Sequence, residues 1–218
     1  MNPTVEAARA QMIFQQVRAW AVLNPAVLKA MSEVPRERFV PEACRDLAFA
    51  DTTIPIADGQ HMLTPQVEGR ILQALDVAPG NRVLEVGTGT GYLTACLAAL
   101  GGPVLSLEIR AALAESAKRT LHATGTRNAE VRAADVFAFQ PEGTFDCIAV
   151  GGSLPLPDAR FEQWLAPGGR LFYVTGAAPA MTAWVVRKAP DGTLSRDSLF
   201  ETVLDPLDNA PQAPRFVF

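Results

Sequence analysis

From Arg82 onward, short apolar runs alternate with stretches whose apolar residues recur every three or four positions. The run VLEVG, 83–87, predicts a strand buried on both faces, and YLTACLAALG, 92–101, a helix closing on glycine. PVLSLEI then predicts a second strand, AALAESAKRTLHATG a helix with a charged outer face, and AEVRAAD a third strand. FDCIAVGG, DARFEQWLAPGG and RLFYVTG continue as strand, helix and strand. Such alternation implies right-handed crossovers and a parallel sheet with helices on both faces. The last segments depart from it: TAWVVRKAP and TLSRDSLFETV are joined by Asp191-Gly192, a hairpin signal.

The first part of the chain is helical and irregular. Asn24-Pro25 supplies a cap and a first-turn proline for a helix that Pro35 stops. DTTIPIADGQHML, 51–63, predicts a loop lying over something. Thr64-Pro65 repeats the cap-then-proline signal for a helix carrying Val67, Ile71, Leu72 and Leu75 at helical spacing, ended by Ala78-Pro79-Gly80. One domain is expected, with residues 1–78 as an N-terminal helical segment and 79–218 as an α/β core. Trp164, Phe172 and Tyr173 fall in helix and strand and are expected in the core.

Composition narrows the function classes. At 218 residues and 49% hydrophobic content, the chain can bury one substantial core. A net charge of -4 argues against a nucleic-acid footprint. No apolar run approaches the roughly 18 residues needed to span a bilayer, and residues 1–20 lack a secretory pattern. Cys44, Cys96 and Cys147 are odd in number and far apart, which suits reduced thiols in a cytoplasm, and His61 and His122 make no metal-ligand spacing. A monomer is expected.

The chemistry concentrates where the first strand ends. Val83 to Leu93 reads VLEVGTGTGYL. A dinucleotide loop, G-x-G-x-x-G, would need glycine at Tyr92 or Thr94, and a phosphate-binding P-loop would need a lysine that is missing. Glu85 precedes the glycines, where it would oppose a pyrophosphate but suit a cationic ligand. S-adenosylmethionine carries an ammonium and a sulfonium and no phosphate, and glycines allow close backbone approach. Glu108 ends the second strand, where an acid can take both ribose hydroxyls. Asp135 ends the third, within reach of an adenine amino group. The expected cofactor-binding set is Glu85, Gly87, Thr88, Gly89, Gly91, Glu108, Ile109, Asp135 and Val136, with S-adenosyl-L-homocysteine as the product.

The segment VPRERFVPE, 34–42, followed by I-P-I and G-Q at 54–60 and then VLEVGTGTGYLTACLA, resembles the protein-L-isoaspartate O-methyltransferase family. The similarity runs from about Gln11 to the closing R-F-V-F. It implies a Rossmann-like class I methyltransferase fold ending in an antiparallel hairpin. It also implies a lid, built by the N-terminal helices and the G-Q loop, over an isoaspartyl carboxylate in a damaged peptide. The family pattern G-Q-T-I-S-x-P stands here as Gly59-Gln60-His61-Met62-Leu63-Thr64-Pro65, so the serine slot holds Leu63. The family's V-T-A-A-A-P and G-D-G stand as Val150-Gly151-Gly152-Ser153-Leu154-Pro155 and Ala134-Asp135-Val136. These departures gather on the acceptor side, where Gln60, His61, Leu63, Thr64 and Ser153 are the candidate residues.

Methyl transfer to a carboxylate needs no general base, because that oxygen is ionised at neutral pH. Alignment and exclusion of water are the protein's tasks. Two alternatives stay open: the same architecture acting on another peptide or small-molecule acceptor, or a module that binds S-adenosylmethionine without turnover.

Overall fold

The computed structural model describes residues 3–212, with the side chains beginning at Thr4. Helix α1 (Pro3–Met12) runs into a π turn and a 3₁₀ turn that ends at Trp20. Helix α2 (Pro25–Glu33) starts as its sequence predicts: the Asn24 side chain accepts the Ala26 amide at 2.9 Å and Pro25 occupies the first turn.

The expected loop at 51–63 contains a small hairpin. Strands β1 (Ile54–Pro55) and β2 (His61–Met62) pair antiparallel, Pro55 opposite His61. Asp58 and Gly59, at φ +58° and +69°, turn the chain between them. Helix α3 (Pro65–Leu75) follows, and the Thr64 hydroxyl accepts the Val67 amide at 3.4 Å.

The main sheet comprises β3 (Val83–Val86), β4 (Val104–Glu108), β5 (Ala129–Ala133), β6 (Phe145–Leu154), β7 (Leu165–Ala177), β8 (Ala180–Lys188) and β9 (Leu194–Thr202). Their order is β5-β4-β3-β6-β7-β8-β9. Strands β3 to β7 pair in parallel, and β7-β8 and β8-β9 are antiparallel. Helices α4 (Tyr92–Leu100), α5 (Ala111–Ala123) and α6 (Ala159–Gln163) complete the crossovers. After β5 the chain returns to the far side of β3, so β3 and β6 flank the point where winding reverses. Ligands bind at that point in open α/β sheets.

Alternation along β7 shows that both sheet faces are covered. Phe172 and Val174 join a cluster with Met31, Ile71, Leu72 and Leu97, whereas Leu171 and Tyr173 join one with Leu84, Ile148 and Phe161. The first cluster contains residues from both sides of position 78, so the N-terminal helices and the sheet share one core. Trp164 is half-buried against the second.

One element differs from the sequence reading. The stretch 158–169 was expected to be helical throughout, but α6 ends at Gln163 and Leu165 already pairs with Phe145 in the sheet. Pro167 cannot continue a helix, and Gly168 sits at φ +82°, so Ala166 to Gly169 bulge out before pairing resumes at Arg170.

Candidate active site

A cavity of about 460 Å³ opens at the carboxyl ends of β3, β4, β5 and β6. Gly87 and Gly89 form its floor, with Glu108, Ile109 and Asp135, Val136 beside them. Gln60, His61 and Leu63 from the N-terminal segment line the opposite wall, and residues 203–208 close the rim.

Glu108 organises the floor. It is nearly buried, and its two carboxylate oxygens accept the amides of Gly89 at 2.9 Å and Arg110 at 3.0 Å. Each oxygen keeps a further lone pair for a ligand. The loop reaches Glu108 because Gly87 and Gly89 take φ of +87° and +53°, a region that side-chain-bearing residues rarely adopt. Asp135 is likewise held, with Oδ1 accepting the Phe137 amide at 2.8 Å and Oδ2 the Asn209 side-chain amide at 2.9 Å.

Four residues expected to hold the cofactor or acceptor through their side chains lie behind the cavity instead. Glu85 is fully buried and takes no part in the lining; its Oε2 accepts hydroxyl hydrogens from Thr94 and from Ser106. Burial pushes its carboxyl up to about 7, against those two hydrogen bonds, and the nearby Glu108 charge adds to the rise. Thr88 turns its hydroxyl to Ser106 rather than to the cavity. Thr64 is the cap of α3 and does not line the cavity. Ser153 is buried and donates its hydroxyl to the Leu204 carbonyl at 3.0 Å, clasping the rim segment.

Gly91 is also displaced from the expected role. It starts α4 at φ +89°, and a Cβ there would come 3.3 Å from Leu121 and 3.4 Å from Ala117, so its lack of a side chain serves both that turn and close packing of α4 on α5. The remaining expected residues, Gln60, His61, Leu63, Gly87, Gly89, Glu108, Ile109, Asp135 and Val136, are brought together around one cavity.

Three features escaped the sequence reading. Arg36, inside VPRERFVPE, is fully buried and contacts four separate segments of the chain. Its Nε donates to the Ala48 carbonyl at 2.8 Å, Nη2 to the Leu63 carbonyl at 2.7 Å and Nη1 to Glu68 on α3, while its Cζ lies 4.8 Å from the centre of the Tyr92 ring. Burial pushes the Glu68 carboxyl up and the guanidinium opposes that push. Arg110, just past β4, meets Asp208 at 2.9 Å and lies 3.8 Å from Asp58, so it ties the rim segment toward the N-terminal hairpin. Asp205 accepts the His61 backbone amide at 2.7 Å and lies 3.1 Å from His61 Nδ1. Only the run of charge in the motif could have flagged Arg36; nothing in spacing links residues 61 and 205.

The donor set fits S-adenosylmethionine. The wall carries carboxylates with unfilled lone pairs and no lysine, and its arginine is already paired with Asp208. Glu85, two residues before Gly87, keeps Oε1 buried with no protein partner. Acids around a glycine loop suit a cationic nucleoside and oppose a polyphosphate. Among the described residues no cluster of His, Cys, Asp or Glu could hold a metal ion, and no helix is long and apolar enough to cross a membrane.

Comparison with known proteins agrees in family. The profile of the protein-L-isoaspartate(D-aspartate) O-methyltransferase family matches residues 8–210. The match stops short of the closing R-F-V-F, 215–218, on which part of the resemblance was placed and which lies outside the described residues. The chain is 41% identical over 172 residues to protein-L-isoaspartate O-methyltransferase 1 of Rhodopseudomonas palustris, covering 78% of this chain and 70% of that one. It is 38% identical over 205 residues to the Aeropyrum pernix protein-L-isoaspartate O-methyltransferase, covering 92% and 79%. In fold it is similar to a Plasmodium falciparum protein assigned as a protein-L-isoaspartate O-methyltransferase and crystallised with S-adenosyl-L-homocysteine. That likeness has a TM-score of 0.80 at 20% identity over 94% of this chain and 98% of that one. Glycine loop, strand-end acids and sequence similarity along most of its length thus converge, and the chain belongs to the protein-L-isoaspartate(D-aspartate) O-methyltransferase family.

Proposed function

We propose that this protein is an S-adenosylmethionine-dependent methyltransferase that esterifies the carboxylate of isoaspartyl residues in damaged proteins. The observation that carries the reading is Glu108: a strand-end acid, nearly buried, that binds the glycine-loop amide of Gly89 and still faces the cavity, in a chain of this family.

S-adenosylmethionine supplies an electrophilic methyl group on sulfur. The chain's own residues do the holding. Glu108 accepts ribose hydroxyls through its remaining lone pairs, and Asp135, fixed by Phe137 and Asn209, serves the adenine end. Ile56, Leu63, Leu204 and Leu207 give the wall opposite the floor an apolar lining that excludes water. The acceptor oxygen is ionised before it arrives, so no residue needs to remove a proton. Three cysteines without a disulfide support a cytoplasmic location.

The test is transfer of label from methyl-labelled S-adenosylmethionine to an isoaspartyl peptide, with the normal aspartyl peptide as control. Label on the isoaspartyl peptide alone is the expected result. Cofactor binding with label on neither peptide would refute this acceptor assignment.

A further inference from the structure

We infer that His61, oriented by Asp205, is the residue that binds the acceptor carboxylate, donating a hydrogen bond from Nε2; this rests on the isoaspartyl reading above. Four observations lead there. The first is placement: both residues line the cavity, His61 from the N-terminal hairpin and Asp205 from the rim segment.

The second is orientation. Asp205 grips His61 twice, through the backbone amide at 2.7 Å and through Nδ1 at 3.1 Å from Oδ2 and 3.3 Å from Oδ1. With Nδ1 occupied by a carboxylate, Nε2 is the ring nitrogen left for a ligand. In the imidazolium both nitrogens donate, Nδ1 to Asp205 and Nε2 to an incoming carboxylate.

The third is rigidity. Asp205 is anchored by the sheet: its carbonyl accepts the Ser153 amide at 2.8 Å, the Leu207 amide returns to the Ser153 carbonyl at 3.0 Å, and the Ser153 hydroxyl holds Leu204. His61 in turn lies in β2, paired with Pro55. Buried Ser153 thereby gains a purpose, as the residue that holds the holder.

The fourth is the lack of a competing donor. Charged groups facing the cavity from other elements are Glu108 and Arg110 past β4, Asp135 past β5 and Asp208 on the rim. Three of these are acids, and Arg110 is bound to Asp208 at 2.9 Å. The Leu63 side chain is carbon only, and its carbonyl is bound by Arg36. Gln60 and Thr53 are neutral donors that also line the cavity, and neither carries a charge to match a carboxylate.

His61 is thus an acceptor-binding residue and Asp205 a positioning residue acting through it. The experiment measures steady-state kinetics on an isoaspartyl peptide, separating kcat from KM, with S-adenosyl-L-homocysteine affinity measured in parallel for every variant. For His61→Ala we expect kcat/KM for the peptide to fall by about tenfold to a hundredfold, the size of one charge-assisted hydrogen bond, while product affinity is unchanged. His61→Gln, whose amide can stand near Nε2, should recover part of the loss. Asp205→Asn should raise KM for the peptide more than it lowers kcat, with product affinity unchanged, because the ring loses the carboxylate that holds Nδ1.

Wild-type kinetics in His61→Ala would overturn the inference and leave the function standing. His61→Gln as inactive as His61→Ala would overturn it too, because a donor restored near Nε2 would then have no effect on the acceptor. A wild-type enzyme that binds cofactor but never labels the isoaspartyl peptide would overturn both.

Discussion

The carboxylate of Glu108 accepts the amide of Gly89 at 2.9 Å, joining the end of β4 to the loop after β3. One side chain therefore shapes the glycine loop and lines the cavity above it. Glu108→Ala should weaken S-adenosyl-L-homocysteine binding by about 2–3 kcal/mol, roughly 30- to 150-fold in Kd. Isothermal calorimetry reads this directly, and an unchanged Kd would remove Glu108 from the site.

Gly89 and Gly91 sit two residues apart and should fail in different ways. At Gly89, φ is +53° and a Cβ would face Ile56 Cδ1 at 3.7 Å, so Gly89→Val strains the loop and projects a branched side chain between floor and wall. Loss of product binding is expected in calorimetry. Gly91→Ala would press on Leu121 and Ala117 instead, so its expected effect is a lower Tm at nearly unchanged Kd. Equal effects of the two variants on binding would contradict this division.

Arg36 and Glu68 form an ion pair whose side chains are 0% and 2% exposed. Removing one partner of such a pair typically costs about 3–5 kcal/mol, whereas replacing both by apolar groups is often near neutral. Arg36→Met should therefore lower the urea midpoint sharply, also leaving the Ala48 and Leu63 carbonyls without their donor. The double variant with Glu68→Leu should regain part of the loss. A double variant no better than the single one would place the cost in those two carbonyls.

Glu85 makes stability depend on pH. Its carboxyl is raised from 4.5 to about 7 by burial, so between these values the folded chain holds a proton that the unfolded chain has released. The contribution is complete below about 4.5 and is lost as pH rises through about 7. The slope in that window approaches about 1.4 kcal/mol per pH unit. Glu85→Gln keeps an acceptor for Thr94 and Ser106 and does not titrate. Urea unfolding from pH 5 to 8 should show a smaller decline for this variant than for the wild type.

Leu63 places carbon on the cavity wall where a hydroxyl could reach a carboxylate. Leu63→Ser should raise kcat/KM on an isoaspartyl peptide by about threefold to tenfold, the worth of one neutral hydrogen bond. Labelled methyl transfer measures it, and no gain would mean that the acceptor does not approach residue 63.

Much of the architecture was legible because its signals are local. Hydrophobic period, Asn24 and Thr64 caps, and the Asp191-Gly192 turn each depend on a few adjacent residues, and each element stands where these place it. The exception, α6, also has a local cause: Pro167 and the two glycines after it favour a bulge over a longer helix.

Side-chain direction was less legible. Glu85, Thr88 and Ser153 lie in the right segments, yet each turns inward to a partner from another strand or from the rim. A strand alternates its faces, and a sheet buried on both sides leaves either direction chemically plausible until the neighbours are known.

By itself the amino-acid order determined the alternating α/β plan, the glycine loop and the acids at the ends of β4 and β5, because period and chain position specify these. Only the tertiary structure decided that Arg36 contacts four separate segments, that Glu85 faces the core and that Asp205 orients His61 from 144 residues away. Such pairings depend on how the chain closes on itself, and a carboxylate finds its donor through space, where sequence distance exerts no force.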